Sequence, residues 1–411
     1  MKKLAVHYRG WGEDWLLGTL ADDGRDLLFE YSQRALDEQL ELSPVRLKLS
    51  TVTYSGFPAH LWGLPGLMAD ALPDGWGRLL MDRLARKQGL NPALLSPLDR
   101  LAFVGLRAIG ALAFVPANTL QLDDHDVALL ALATEAQVVL TTPKGAETFA
   151  LTELALLGGS PHGARPKVLV HLTESGQVST LARPDSQAWL VKFQAAGESK
   201  EVCVLEDVYA QLARDCGIDM PRTRHFDLGP KLAAFGTCRF DVEDSQRVPT
   251  HTLAGLLHAN FALPGAVDYT TFLRATRLLT RDEREVKKAF GRAVFNVVFN
   301  NRDDHPKNFS FRLHRDRCWK LAPGYDLTFN EGPRGEHQMD VCGEARAIRR
   351  QDLLQLAAQA SLDRRWASGE IDRALDISNN FRVRAQAVGL SPALTDTVVT
   401  QLGINSAHLR P

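Results

Sequence analysis

The chain has 411 residues, and this length favours more than one domain over a single core. Hydrophobic residues make up 45% of the chain and charged residues 24%, which is an ordinary mixture for a globular protein. The formal net charge of −1 excludes a general electrostatic attraction to nucleic acid or to an anionic membrane.

The N-terminus and the cysteines predict a cytoplasmic protein. The first residues, MKKLAVHYRGWGEDWLL, start basic but reach Arg9, Glu13 and Asp14 before an apolar signal-peptide core can form. No segment approaches the roughly 20 apolar residues of a membrane span, so we expect no membrane partner. The cysteine spacings fit neither a zinc site nor a disulfide framework, which favours free thiols in a reducing compartment. These cysteines are Cys203, Cys216, Cys238, Cys318 and Cys342.

Residues 1–125 are predicted to form a small α/β unit. The segments KKLAVHYRG and WLLGTLADD are typical of a β-hairpin. A turn at residues 73–75 precedes a predicted helix, because the apolar residues that follow recur at helical spacing. The apolar, Gly-punctuated segment RLAFVGLRAIGALAFVP is expected to pack in the core. Residues 118–150 are expected to connect this unit to the next.

Residues 126–240 are predicted to form the smaller lobe of a protein-kinase-like fold. A Gly-rich loop, LLGGSPHGARPK, precedes the strands VLVHL and AWLVKFQ, and an amphipathic helix, VCVLEDVYAQLARDCGI, follows them. Lys192 lies in the middle of AWLVKFQ, where burying a lysine is costly unless it is paired. Glu206 on the next helix is the predicted partner, because protein kinases hold a phosphate-binding lysine in this way. The alternative is that Lys192 lies on an exposed face of the sheet.

Two further segments of this lobe are candidate nucleotide contacts. The backbone amides of the Gly-rich loop could cover phosphates, although the loop matches neither a Gly-x-Gly-x-x-Gly nor a Walker sequence. The strand AFGTCRFDV ends at Cys238, Arg239 and Phe240, where a hinge between two lobes would contact an adenine. An ordinary strand end is the alternative interpretation of that segment.

Residues 241–411 are predicted to form a mainly helical lobe that carries the catalytic residues. In NNRDDHPKNFSFRLHRDRCWKLAPGYDL, Asp303 lies five residues before Asn308, and Asp326 follows a predicted hairpin of FSFRL and CWKLA. Phosphoryl transfer from ATP needs a carboxylate that accepts the hydroxyl proton and oxygen ligands for Mg²⁺, and protein kinases space these residues in this way. Antiparallel pairing would bring Asn308 and Asp326 to within about 5–8 Å of each other. Asp304 does not fit the spacing of the base.

In combination, these motifs make the chain similar to the HipA family of bacterial serine/threonine kinase toxins. The resemblance rests on LMADALPDGWGRLL and VGLRAIGALAF in the N-terminal part, GARPK in the loop, and RDDHPKN and PGYDL in the C-terminal part. It implies an α+β fold with two protein-kinase-like lobes, an additional N-terminal α/β subdomain and a mainly helical C-terminal lobe.

The resemblance also implies a role for each matching residue. Asp303 would be the catalytic base, and Asn308 and Asp326 would be the magnesium ligands. Lys192, paired with Glu206, would bind the α- and β-phosphates of ATP. The remaining nucleotide contacts would come from the phosphate loop, the hinge and the catalytic motifs: His162, Gly163, Ala164, Arg165, Pro166, Lys167, Cys238, Arg239, Phe240, His305, Lys307 and Tyr325.

The chain departs from the family pattern at two places. It has Arg165 and Pro166 where some members carry Gln and Glu, and Cys238 replaces an acidic hinge residue that is common in the family. Neither change removes a predicted catalytic charge. Ser160 falls where family members carry an autophosphorylated serine, so the resemblance implies the same modification here.

The resemblance implies that the protein is the toxin of a type II toxin–antitoxin pair. Its substrate would be an aminoacyl-tRNA synthetase, whose phosphorylation stalls translation and favours persistence. Its partner would be a helix-turn-helix antitoxin, through which it would reach operator DNA. Two alternatives remain open: a catalytically silent pseudokinase that serves as an antitoxin-binding corepressor, and a small-molecule kinase with the same two lobes.

Overall fold

The structure, a computed structural model, describes residues 2–117, 120–142 and 151–410. Its strands form a four-stranded sheet near the N-terminus, a five-stranded sheet in the middle, and a three-stranded sheet with a short separate hairpin towards the C-terminus. Each of the three predicted units therefore contains a sheet of its own.

The N-terminal unit begins with the predicted β-hairpin. Its strands are β1 (Lys3–Tyr8), β2 (Trp15–Asp22), β3 (Leu27–Tyr31) and β4 (Leu112–Val115), and they pair antiparallel in the order β3–β2–β1–β4. Leu4 pairs with Leu20 and Val6 pairs with Phe114, and all four side chains are buried, because alternate residues of a strand face the same side of a sheet. The helices are α1 (Gln33–Glu38), α2 (Gly66–Ala69), α3 (Gly75–Lys87) and α4 (Pro97–Val104).

The smaller lobe is built on a five-stranded antiparallel sheet. Its strands are β5 (Lys167–Thr173), β6 (Val178–Ser179), β7 (Ser186–Phe193), β8 (Thr223–Asp227) and β9 (Ala233–Cys238), in the order β6–β5–β7–β9–β8. Its helices are α5 (Leu129–Thr141), α6 (Leu151–Gly158) and α7 (Glu201–Asp215). The predicted strands and the amphipathic helix α7 are therefore present in the predicted order.

Of two expectations for this lobe, the connecting segment gains a helix and the start of the Gly-rich loop needs correction. The connection expected over residues 118–150 contains helix α5 in its described part, and residues 118–119 and 143–150 lie outside the described residues. The Gly-rich loop was expected to begin at Leu156, but residues 156–158 complete helix α6. The reason is burial, since Leu156 and Leu157 continue the apolar surface of that helix into the core.

The C-terminal lobe is mainly helical, as predicted. Its strands are β10 (Val242–Glu243), β11 (Gln246–Arg247), β12 (Thr250–Thr252), β13 (Ser310–Leu313) and β14 (Trp319–Leu321). Its helices are α8 (Leu253–Leu257), α9 (Tyr269–Thr280), α10 (Glu283–Val298), α11 (Arg350–Gln359), α12 (Arg364–Ser378), α13 (Phe381–Ala387) and α14 (Pro392–Leu409). Strands β13 and β14 form the predicted antiparallel hairpin, and β13 also pairs with β12 to give a three-stranded sheet.

The hydrophobic core crosses the predicted units. One cluster of buried apolar side chains joins the N-terminal sheet to helix α7 and to the C-terminal lobe. A second cluster fills the smaller lobe and includes Trp76, Leu80 and Leu84 of helix α3. Helix α3 is thus shared between the N-terminal unit and the smaller lobe, while the division at residues 125 and 240 remains a prediction.

A five-stranded antiparallel sheet with one helix packed on it, followed by a helical lobe, is the arrangement of the two lobes of a protein kinase. The predicted α+β, two-lobed fold with an additional N-terminal unit is confirmed. Within residues 2–117, 120–142 and 151–410, the helices lack the combined length and apolar character that a bilayer span requires.

Candidate active site

A cavity of about 790 Å³ lies between the two lobes and also touches the N-terminal unit. Most of the predicted site residues line it, whereas Pro166 and Ser160 do not belong to its lining. The predicted residues that it brings together are His162, Gly163, Ala164, Arg165, Lys167, Lys192, Glu206, Cys238, Arg239, Phe240, Asp303, His305, Lys307, Asn308, Tyr325 and Asp326.

The predicted ion pair between strand β7 and helix α7 is present. Nζ of Lys192 lies 2.6 Å from Oε1 of Glu206. Lys192 is 8% exposed and Glu206 is 2% exposed, so the alternative of a lysine on an exposed sheet face is wrong. Leu190 and Lys192 lie on the same face of β7 and both line the cavity, so this face of the sheet looks into the cleft between the lobes.

Asp326 contacts the same ammonium group through its Oδ1. Burial alone would lower the pKa of Lys192, but the charges of Asp326 and Glu206 outweigh burial and raise that pKa. Burial likewise opposes ionisation of Asp326, yet Lys192 and Lys167 hold the pKa of its carboxyl well below the usual range. The site therefore keeps both groups charged. Asp326 also has a left-handed backbone with φ of 57°, a conformation that clusters at functional sites.

Asp303 lies in the loop after helix α10 and is held by two hydrogen bonds. Nδ2 of Asn308 donates to the carbonyl oxygen of Asp303 at 2.7 Å, and Nε2 of Gln338 donates to its Oδ1 at 3.1 Å. Nε2 of His305 lies 3.8 Å from the same carboxylate oxygen. Burial raises the pKa of Asp303, although the nearby His305 opposes this effect. A raised pKa makes this carboxylate a stronger proton acceptor than an ordinary aspartate.

The neighbouring Asp304 is buried, and its carboxylate is bound by hydrogen bonds within the protein. It is 0% exposed, and its carboxylate accepts hydrogen bonds from the Tyr269 hydroxyl at 2.7 Å and the Gln338 amide at 2.8 Å. Nδ1 of His337 lies 2.7 Å from the same carboxylate. With its oxygens occupied, Asp304 anchors the loop and leaves Asp303 facing the cavity. The sequence did not identify His337 and Gln338, because no local motif links them to this loop.

The two predicted magnesium ligands flank the β13–β14 hairpin and line the same cavity. Nδ2 of Asn308 is used by the Asp303 carbonyl, which leaves its Oδ1 as an oxygen ligand. The Tyr325 hydroxyl donates to the Lys307 carbonyl at 2.6 Å. This bond ties the exit of the hairpin to residues 303–308, the predicted catalytic loop. An amide oxygen and a carboxylate oxygen of Asp326 are hard donors of the kind that Mg²⁺ prefers. The donor set therefore fits this ion.

Two basic groups of the catalytic loop face the cavity. Nδ1 of His305 is buried and finds no hydrogen-bond partner among the described residues. Nζ of Lys307 lies 2.8 Å from Oδ2 of Asp74, a residue of the N-terminal unit, and 4.0 Å from the centre of the Phe261 ring. A buried ring nitrogen without a partner, which donates a hydrogen bond when it carries the proton, suits an anionic ligand such as a nucleotide phosphate when it lies next to a lysine.

The predicted phosphate loop, residues 162–167, is fixed by its own side chains. Nε2 of His162 lies 2.9 Å from the carbonyl of Leu72, and burial lowers the pKa of His162 to about 4, so this ring is neutral at pH 7. Nζ of Lys167 donates to the His162 carbonyl across the loop. Burial, together with the charge of Lys192, lowers the pKa of Lys167 to about 8. Gly163 has φ of 101°, which residues with a side chain rarely adopt.

Both residues that depart from the family pattern in this loop have structural contacts. The Pro166 carbonyl accepts the Phe193 amide at 2.8 Å, so Pro166 continues the sheet and does not face the cavity. The Arg165 guanidinium lies 3.1 Å from Glu198 and 3.6 Å from Glu206. Arg165 therefore shares Glu206 with Lys192 and keeps a positive charge at the cavity wall.

The predicted hinge lines the cavity but uses part of its backbone elsewhere. The amides of Cys238 and Arg239 donate to the carbonyls of Arg222 and Ala188 at 2.8 and 2.9 Å. These two amides are therefore unavailable to an adenine in this conformation, which leaves the other backbone groups of the segment. The Phe240 ring lies against Tyr325, which ties the hinge to the catalytic side of the cavity.

Ser160 lies just before the phosphate loop and is 5% exposed. A kinase active site could reach its hydroxyl only after the loop has moved. Its assignment as a phosphorylation site remains a prediction that requires a second loop conformation.

Two family models match the chain. The HipA-like C-terminal domain matches residues 159–381, which is more than half of the chain, and the HipA N-terminal domain matches residues 9–115. The chain belongs to the HipA family. No curated protein sequence matches the chain at a significant level.

One solved HipA structure shares the fold of this chain. A chain of a Shewanella oneidensis MR-1 structure, which contains the toxin–antitoxin proteins HipA and HipB with operator DNA, matches with a TM-score of 0.71. The match covers 99% of this chain and 97% of that one at 18% identity, so it shows a shared fold. The Helicobacter pylori proinflammatory kinase CtkA matches 59% of this chain and 90% of its own at 13% identity, with a TM-score of only 0.37.

Proposed function

We propose that this HipA-family protein is an ATP-dependent serine/threonine protein kinase. The observation that supports this most is a single cavity in which a buried, paired lysine faces a carboxylate with a raised pKa and two oxygen ligands. These residues are Lys192, Asp303, Asn308 and Asp326.

The smaller lobe binds the nucleotide phosphates in this proposal. Lys192, oriented by Glu206, contacts the α- and β-phosphates, and the backbone of residues 162–167 covers the phosphate chain. Lys167 and Arg165 add positive charge from the same wall of the cavity. Segment 238–240 contacts the adenine through the backbone groups that the sheet leaves free.

The C-terminal lobe carries out the transfer. Asp303 accepts the proton of the substrate hydroxyl as the oxygen attacks the γ-phosphate. Asn308 and Asp326 would hold Mg²⁺, which would neutralise phosphate charge. His305, in the form that carries a proton on Nδ1, donates that N–H to the transferred group, since Nδ1 has no other partner among the described residues.

The cellular role is proposed from the family. The protein acts as the toxin of a type II toxin–antitoxin pair in the cytoplasm, and its substrate is an aminoacyl-tRNA synthetase. The Shewanella oneidensis structure holds HipA together with HipB and operator DNA, and we assign this chain a corresponding helix-turn-helix antitoxin. The protein would contact operator DNA only through that antitoxin.

The test is a labelling experiment with purified protein, γ-labelled ATP, Mg²⁺ and a cell lysate. Asp303→Asn removes the base while keeping the side-chain volume, and Asp316→Asn is the matched control, because Asp316 is exposed in the turn of the β13–β14 hairpin. We expect labelled protein bands with the wild type and the control, and none with Asp303→Asn. Label in a small molecule would indicate a small-molecule kinase, and no label anywhere would indicate a pseudokinase.

A further inference from the structure

The phosphate loop rests on helix α3 of the N-terminal unit. The Trp76 amide donates to the Gly163 carbonyl at 3.0 Å, and Nε1 of Trp76 donates to the Lys167 carbonyl at 2.9 Å. A Cβ atom at Gly75 would lie 2.6 Å from the Gly163 carbonyl oxygen, and Gly75 has φ of 36°. A side chain at position 75 would therefore push the helix and the loop apart.

Asp74 joins this loop to the catalytic loop. It precedes the first residue of α3, a position from which Asp usually caps its own helix, but both of its oxygens are used elsewhere. Oδ1 accepts the amide of Gly163, and Oδ2 lies 2.8 Å from Nζ of Lys307. One carboxylate of the N-terminal unit thus contacts the two loops that face each other across the cavity.

The segment that carries Asp74 is itself fixed to the C-terminal lobe. Oδ2 of Asp70 lies 2.6 Å from Nδ1 of His251 and accepts the Thr252 amide at 2.8 Å, while its Oδ1 accepts the Thr252 hydroxyl at 2.6 Å. Nε2 of His251 lies 2.9 Å from the Ser43 hydroxyl, and Ser43 is fully buried. Asp74 is therefore held in place relative to the catalytic loop.

We propose that Asp74 is a positioning residue for the nucleotide phosphates, which sets the distance between the phosphate loop and Lys307. The inference rests on the proposed kinase function and extends it to the N-terminal unit. Lys307 packs against the Phe261 ring and is 11% exposed at its side chain, so it has little freedom once Asp74 holds it. Without the carboxylate, the Gly163 amide loses its acceptor and Lys307 loses its counter-charge.

Two substitutions at position 74 separate these contacts. Asp74→Asn keeps an oxygen that accepts the Gly163 amide but removes the charge that holds Lys307, and Asp74→Ala removes both contacts. We expect Asp74→Ala to raise the KM for ATP by about 10- to 100-fold, as expected for a lost hydrogen bond to a charged group, with a smaller change in kcat. We expect Asp74→Asn to raise it less. Combining Asp74→Asn with Lys307→Met should add little to Lys307→Met alone, because both remove the same ion pair.

Hydrogen–deuterium exchange of the nucleotide-free protein supplies a readout that does not depend on activity. Amides of residues 159–167 should exchange faster in Asp74→Ala than in the wild type, while the remaining protected amides stay unchanged. Asp37→Asn, an exposed site on α1, is the control for a lost carboxylate in the same unit.

Wild-type KM and loop exchange in both Asp74 variants would overturn the inference, as would a uniform loss of protection at unchanged KM. A wild-type protein that does not use ATP would instead overturn the kinase proposal, and loop exchange would still decide whether Asp74 holds the loop.

Discussion

Replacing Lys192 with methionine removes one charge from a group of four, in which Lys192 and Glu206 are buried and Arg165 and Asp326 are partly exposed. Its Nζ lies 2.6 Å from Glu206 and also contacts Asp326, and the Arg165 guanidinium lies 3.6 Å from Glu206 on the other side. Methionine keeps the length of the side chain, so the change is mainly electrostatic. The substitution leaves two carboxylates with one remaining cation.

The structure sets the size of the expected loss. Removing one partner of a buried ion pair costs about 3–5 kcal/mol, because the other charge stays buried without compensation. Arg165 can take over part of the interaction with Glu206, and the Asp326 side chain is 39% exposed and can be hydrated. We therefore expect the low end of this range, about 3 kcal/mol in the free energy of unfolding. For the use of ATP we expect a loss of at least about tenfold, which corresponds to about 1.4 kcal/mol.

Urea denaturation followed by tryptophan fluorescence measures the first effect, and kcat/KM for ATP measures the second. Lys192→Arg is the matched control, since it keeps the charge at a similar length. Glu206→Gln in the Lys192→Met background should restore part of the stability, because it removes the unpaired carboxylate. The two variants Lys192→Met and Lys192→Arg could instead have equal free energies of unfolding, and Glu206→Gln could have no effect on the stability of Lys192→Met. That result would show that the ion pair is not buried.

Three further predictions concern the neighbouring groups. Burial raises the pKa of Asp303 and the hydrogen bond from Gln338 lowers it, so Gln338→Leu should raise it further. Because the base must be deprotonated, the acid limb of the kcat/KM profile should move to higher pH, and a profile identical to that of the wild type would contradict this. Lys167, whose pKa is lowered to about 8 mainly by burial, should take up a proton when ATP phosphates bind near pH 8. Calorimetry in two buffers of different ionisation enthalpy should then give different binding enthalpies, and equal enthalpies would argue against it. Phosphorylation of Ser160 would place about −1.5 to −2 charges at a buried position and expel the loop, so we expect weaker ATP binding after modification. Intact-mass spectrometry should find this phosphate in the active enzyme but not in Asp303→Ala, and its absence after long incubation with Mg²⁺ and ATP would refute the assignment.

The sequence identified the residue pairs that lie on two consecutive elements of secondary structure. Lys192 and Glu206 belong to a strand and the helix that follows it, and the match of this order to that of protein kinases predicted their contact. The hairpin between Asn308 and Asp326 was readable from its alternation and its turn, so the placement of both residues at one cavity followed from pairing. Contacts of this kind can be predicted from the sequence because the short segment between the two residues has few ways to fold.

The environment of adjacent residues was harder to predict. Asp303 and Asp304 are adjacent in the sequence. Asp303 faces the cavity, whereas Asp304 is fully buried among hydrogen-bond donors. The spacing to Asn308 selected Asp303 as the base, but it gave no indication that Asp304 anchors the loop. That role depends on His337 and Gln338, which reach the loop from a separate segment and carry no periodic signal.

Contacts made by docking one unit on another were the least accessible. Asp74 and Lys307 are 233 residues apart, and no pattern within either segment encodes their meeting. A local signal was nevertheless present in the sequence, since Gly75 and Gly77 both lie in the first turn of a helix, where glycine is less favourable than alanine by about 1 kcal/mol per residue. A side chain at position 75 would meet the backbone of Gly163 and Ala164, and one at position 77 would meet the Pro73 ring and then the Gly159 backbone. Two glycines at the start of an amphipathic helix therefore indicate close packing at that place, but they do not say which segment packs there, because the phosphate loop belongs to a separate part of the chain.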